Sequence, residues 1–165
     1  MKKPDHLLAN FYLHACRQVI DKVKILSSEL TIFNALNDKR ILIVFEEFCK
    51  EEDSSENITL WNAIQEFKHQ IQTGDNKKAQ EISKTICDNF LELVNITSDL
   101  KKNTIAKVTS TGSKDATVFD SLEGEIVYLM EDTFSRFKNT EKLKKVLIQT
   151  NNLKSDLLNE YFALG

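Results

Sequence analysis

The sequence predicts an all-α fold, and three observations carry that prediction. Only one Pro and four Gly occur in 165 residues, so few breakers interrupt the chain. Apolar residues recur at three- and four-residue steps through most of its length, the spacing of one helical face. Hydrophobic residues make up 41% and charged residues 28%, a balance that supports a packed core rather than disorder. The length suggests one domain, 1–165.

The elements follow in order. Pro4 is a start signal for a first helix with Leu8, Phe11, Ala15, Val19, Val23 and Leu26 on one face. A second helical stretch runs near Leu30 to Leu36, and Asn37-Asp38 marks a break. Ile41 to Cys49 is rich in β-branched residues. A lone strand among helices would have no pairing partner, so helix is the prediction there too. Glu51 to Ser55 is an acidic, serine-containing break in which Asp53, Ser54 or Ser55 could cap the next helix. That helix carries Ile58, Trp61, Ile64, Phe67 and Ile71, and Thr73-Gly74-Asp75-Asn76 ends it.

Ala79, Ile82, Ile86 and Phe90 form the next stripe. Thr97 and Ser98 are candidate caps for a short helix through Lys107. Thr109 to Asp115, reading TSTGSKD, is the most loop-like segment. A long helix then buries Phe119, Leu122, Ile126, Leu129 and Met130, and the pattern restarts at Phe134 and Phe137. Thr140 opens a last helix with Leu143, Leu147, Leu153, Leu157 and Tyr161 on its apolar side. The expected total is about nine helices.

Composition excludes several functions. With 22 Lys+Arg against 25 Asp+Glu, the net charge is −3, which gives no basic face for nucleic acid. No apolar run approaches the roughly 18 residues of a membrane span, so none is expected. The basic runs at Lys101-Lys102 and Lys138 to Lys145 read as solvated faces, with membrane-surface contact a minor reading. Cys16, Cys49 and Cys87 read as reduced, buried structural thiols in a cytosolic protein. Metal-ligand spacing is missing, and Thr111-Gly112-Ser113-Lys114 lacks the upstream Gly of a phosphate loop, so no cofactor is expected.

One resemblance goes beyond this. Phe45, Phe48, Ser54, Glu56, Asn57, Leu60 and Trp61 stand where the opening half of an RGS domain, from the regulators of G-protein signalling, has its motif residues. Asn95 sits in a Val-Asn-Ile run similar to the family's Val-Asn-Ile/Leu. Phe119-Asp120 matches the start of the family's long seventh helix. Tyr128-Leu129-Met130-Glu131, then Asp132, Thr133, Phe134, Arg136 and Phe137, resembles its closing motif with one residue missing before Asp132. Thr133 replaces the usual Ser, Thr97 replaces an Asp, and Ile41 stands where Gly is common. The resemblance covers about residues 30–147. It leaves 1–28 as an extra N-terminal helix and 151–165 as a C-terminal helical extension.

The resemblance implies a four-helix bundle, from about Ser55 to Glu131, packed on a subdomain built from both chain ends. It also implies a GTPase activator for a heterotrimeric G-protein α subunit, without catalytic chemistry of its own. The partner would be the GTP-bound or transition-state α subunit. The contact residues it implies are Ser54, Glu56, Asn57, Asn95, Leu129, Asp132, Thr133 and Arg136, with Arg136 orienting Asp132. The protein would be a cytoplasmic monomer, recruited to the inner face of the plasma membrane by its partner. The alternative is an RGS-fold interaction scaffold without activating power, which could be part of a larger protein.

Overall fold

The computed structural model describes residues 6–112 and 114–153. Pro4, Ser113, Leu157 and Tyr161, to which the sequence assigned roles, lie outside them. The described residues form eight α-helices: α1 (His6–Glu29), α2 (Ile32–Asn37), α3 (Lys39–Glu51), α4 (Glu56–Thr73), α5 (Asn76–Thr85), α6 (Ser98–Thr111), α7 (Asp120–Phe137) and α8 (Glu141–Thr150). A π-helical turn, Ile86–Phe90, continues α5. No strand occurs among the described residues, so the fold is all-α. The β-branched run Ile41 to Cys49 is helical and buries Ile41, Phe45 and Cys49 at four-residue steps.

Two compact units divide the chain, one drawn from Met1–Phe45 and Ser135–Gly165, the other from Glu46–Phe134. The first is built from both chain ends. Within it α1 packs against α8. Ser27 Oγ donates to the Lys138 carbonyl at 2.6 Å, and Lys138 Nζ donates to the Ser28 carbonyl at 2.8 Å. Phe45 and Phe137 meet at 5.1 Å between ring centroids. Thr31 Oγ1 caps α2 by accepting from the Asn34 amide, and Thr140 Oγ1 caps α8 by accepting from the Leu143 amide. Asp38 accepts from the Arg40 amide and guanidinium, which hold its carboxyl below the usual carboxylate range.

The second unit holds α4 to α6 and most of α7. Gly74 ends α4 at φ 82°, a left-handed conformation that costs glycine little, and Asp75 caps α5 by accepting from the Lys78 amide. That two-residue connection returns α5 alongside α4. Phe67 and Phe119 pack edge to face at 4.9 Å in a core shared with Leu60, Ile64, Leu122 and Ile126. Lys68 Nζ pairs with Asp120 at 2.9 Å and with Glu123, while Gln65 donates to Glu123 at 2.6 Å. Partial burial alone would lower the Lys68 pKa, but its two carboxylate partners raise it. The start of α7 therefore lies beside the C-terminal half of α4.

Several sequence expectations are corrected. The segment from Thr109 is not loop: α6 runs to Thr111 and ends at Gly112, with φ 64°. The hydroxyls of Thr109, Ser110 and Thr111 donate to helix carbonyls behind them, so this polar run is satisfied inside the helix. No pattern restarts at Phe134, because α7 is continuous to Phe137. Ser55 stands at the cap position of α4 but makes no side-chain cap bond. Ile82 and Phe90 are half-buried, and Ser83 takes an inward place with Ala79 and Ile86. Cys16 is exposed, because Ala15, not its neighbour, holds the inward position of α1, and Cys87 is half-buried; Leu8 is exposed and Phe48 half-buried.

Candidate functional site

Three segments of the second unit carry the motif residues. Moving about eleven residues back from Lys68 reaches Asn57, and moving about twelve forward from Asp120 reaches Asp132. Each step spans roughly 16–18 Å of helix at ~1.5 Å per residue. Asn57 stands that far before the Lys68 contact on α4, and the stretch from Leu129 to Thr133 ends that far after the Asp120 contact on α7. The short return from α4 to α5 brings the segment after the π turn, with Asn95, back toward the start of α4.

The first segment joins α3 to α4. Asn62 Nδ2 donates to Glu46 and ties the two helices. The Ser54 amide donates to the Cys49 carbonyl at 2.9 Å, closing the turn. Asp53 sits at φ 51°, a conformation an Asp tolerates better than most residues. Burial raises the Cys49 thiol pKa to about 12, helped by Glu52, Glu56 and Glu46, so this thiol is no nucleophile. Ser54, Glu56 and Asn57 are half-buried, with Glu56 in the first turn of α4, where the helix dipole favours an acid. Asn57 Oδ1 is buried and accepts no hydrogen bond. An acceptor in that state costs about 1–3 kcal/mol.

The second segment follows the π turn. The Leu91 amide donates to the Ile86 carbonyl at 3.1 Å, the wide π pattern, and Leu91 and Val94 are buried. The Ile96 amide donates to the Val94 carbonyl at 3.0 Å, so the chain turns tightly at Asn95 and leaves it exposed. Thr97 Oγ1 caps α6 by accepting from the Leu100 amide, the role its hydroxyl was expected to fill. Glu92 and Lys101 pair at 3.4 Å across the segment.

The third segment is the far half of α7. Leu129 is half-buried and Thr133 is buried, one turn apart. Asp132 is exposed, and so is Arg136 one turn on, although Arg136 belongs to the other unit. Seven of the eight predicted residues thus fall in one unit. Leu93 and Tyr128 are large exposed apolar side chains close in sequence to this set; Tyr128 heads the matched closing run, and neither was among the expected contact residues. Their only sequence signal is an apolar residue off the helical stripe.

Polar groups on three pinned segments, one of them an unsatisfied acceptor, make a surface suited to recognising another macromolecule. Among the described residues, no group of three His, Cys, Asp or Glu is placed to hold a metal ion. No described helix is long and apolar enough to cross a membrane.

The regulator of G protein signaling domain model matches residues 32–146. Curated relatives include the Caenorhabditis elegans regulator of G-protein signaling rgs-2, 30% identical over 107 residues, which is 62% of this chain and 61% of that protein. Regulator of G-protein signaling 10 of rat and of mouse are each 31% identical over 115 residues, 68% of this chain and 61% of each relative. The chain belongs to the regulator of G protein signaling domain family. The match spans about three fifths of the length of these relatives.

Proposed function

We propose that this protein is a GTPase activator for a heterotrimeric G-protein α subunit. It binds the GTP-loaded subunit and holds its switch segments in the arrangement that hydrolysis requires. The observation that carries this reading is the orphaned Asn57 Oδ1 in the unit that also bears Asn95 and Asp132. A buried acceptor kept without a partner is tolerated best where a partner molecule supplies the donor.

The mechanism is differential binding. The α subunit carries its catalytic Arg in cis, so the activator needs to supply none. Ordering mobile switch loops costs conformational entropy, which a rigid, complementary surface offsets. Only binding stronger in the transition state than with GTP raises the rate. A hundredfold gain corresponds to about 2.7 kcal/mol of such preference.

Asn95 restricts the catalytic Gln region. Asn57 and Glu56, with Ser54 beside them, meet the switch segments. Asp132 accepts from a switch backbone N–H, and Arg136 orients Asp132. Leu129 packs against the partner, and the buried Thr133 acts by holding α7 in place. The protein works as a cytoplasmic monomer with no cofactor and reaches the plasma membrane through its partner.

Single-turnover GTP hydrolysis by a purified α subunit, with and without the protein, is the test. Acceleration is expected, and Asn95→Ala should remove most of it while circular dichroism stays that of the parent. An unchanged rate with the parent protein across a panel of α subunits overturns the reading.

A further inference from the structure

In the unit Glu46–Phe134, apolar side chains are packed inward with few exceptions. Among the described residues there, the large exposed ones are Leu93 at 64%, Tyr128 at 71% and Ile105 at 44%. Isolated exposed apolar residues need no explanation. The placement of these does. Leu93 is two residues before Asn95, and Tyr128 is one helical turn before Asp132. The two most exposed apolar side chains of the unit therefore flank the candidate site, on two of its three segments.

Each is also presented rigidly. Leu91 and Val94 anchor the turn from below, and the Leu93 amide donates to the Phe90 carbonyl at 3.0 Å. The Thr97 cap and the Glu92–Lys101 pair close the same turn. Tyr128 projects from the middle of α7, on the face that also exposes Asp132. Binding through side chains held in this way loses little further entropy. Tyr is among the residues enriched at the energetic centres of interfaces, because a large apolar ring is fixed by few rotors and ends in a hydroxyl.

We propose that Leu93 and Tyr128 are apolar anchors for the α subunit, and that they set its affinity and so which α subunit is served. This rests on the activator reading above. Apolar anchors bind the GTP-loaded and transition-state forms alike, so they act on complex formation and not on the maximal rate. The polar residues Asn57, Asn95 and Asp132 carry the transition-state preference. The partner surface is an apolar patch bordered by the backbone N–H groups that those residues engage.

The test measures binding to an α subunit loaded with GDP and aluminium fluoride, and GTP hydrolysis at limiting and saturating protein. Leu93→Ser and Tyr128→Ser should each weaken binding about tenfold, a change equal to ~1.4 kcal/mol. The rate at saturation should stay at the parent value, and thermal unfolding should not move, because both side chains are exposed. Leu93→Met and Tyr128→Phe should restore binding. Ile105→Ser, on the middle of α6, is the control and should bind as the parent does. Unchanged affinity for both serine variants, with the parent still binding, overturns the inference and leaves the activator reading standing. Equal weakening by Ile105→Ser also overturns it. A parent that binds no α subunit removes both.

Discussion

Asn57→Ala should make this protein more stable and less active. The Asn57 carbonyl oxygen is buried without a hydrogen bond, at a cost of about 1–3 kcal/mol. Ala removes that acceptor and adds roughly 0.5 kcal/mol of helix propensity near the start of α4. Lost packing around a half-buried side chain subtracts part of the gain. The net expectation is a stabilisation of about 1–2 kcal/mol. At roughly 2–4 °C per kcal/mol for a chain of this size, the melting temperature should rise by about 2–8 °C. Urea unfolding should show a higher midpoint with an unchanged slope, the signature of a change in stability alone. The same variant should lose most of its GTPase activation, because the acceptor reserved for the partner is gone. A variant that is no more stable than the parent, or that activates as well, would refute the reasoning.

Two further predictions come from the core and the cysteines. Phe67→Ala should cost about 3–5 kcal/mol, and a double-mutant cycle with Phe119 should return a coupling of roughly 0.5–1.5 kcal/mol from their edge-to-face contact; additive effects would show that the rings do not interact. Alkylation of the native protein near pH 8 should modify the exposed Cys16 first and leave Cys49, whose buried thiol is pushed up to about 12, until the chain unfolds. Peptide mass spectrometry would expose an error if Cys49 were labelled as fast as Cys16.

What the sequence made legible followed physical scale. Helices with a sustained stripe, such as α4 with Ile58, Trp61, Ile64 and Phe67, were readable because burial of one face decides both element and orientation. Even α3 was readable despite its β-branched run, since a strand needs a partner and none was in prospect. The end of α6 was misread because hydroxyl residues have two uses. Thr109, Ser110 and Thr111 look like loop residues until their back-bonding to helix carbonyls is seen. The π turn left no trace in the sequence, as it depends on how Ile86 and Leu91 are packed.

The candidate site was legible as motif residues, and the resemblance implied that the loops bearing Asn57, Asn95 and Asp132 converge at one end of the bundle. Spacing could place Asn57, Asn95 and Asp132 on separate segments. The contacts of Lys68 with Asp120 and Glu123, which join α4 to the start of α7, are seen only in the fold. Exposure of Leu93 and Tyr128, like the missing partner of Asn57, is decided by tertiary packing and has no local signature.

The contact of α4 with the start of α7 has a practical side. The Gly74-Asp75 connection lies nearly five helical turns from Asn57 along α4, and the start of α7 sits beside Lys68, about three turns from Asn57. Lengthening the chain beyond Gly112, ahead of Asp120, leaves the spacing of every recognition residue untouched. A fluorophore or a fused reporter placed there would ride on the domain without obstructing its partner. A single residue added between Phe90 and Thr97 would displace Leu93 and Asn95 together. The connection after Gly112 is free to vary in length, and the one between Phe90 and Thr97 is held to the residue.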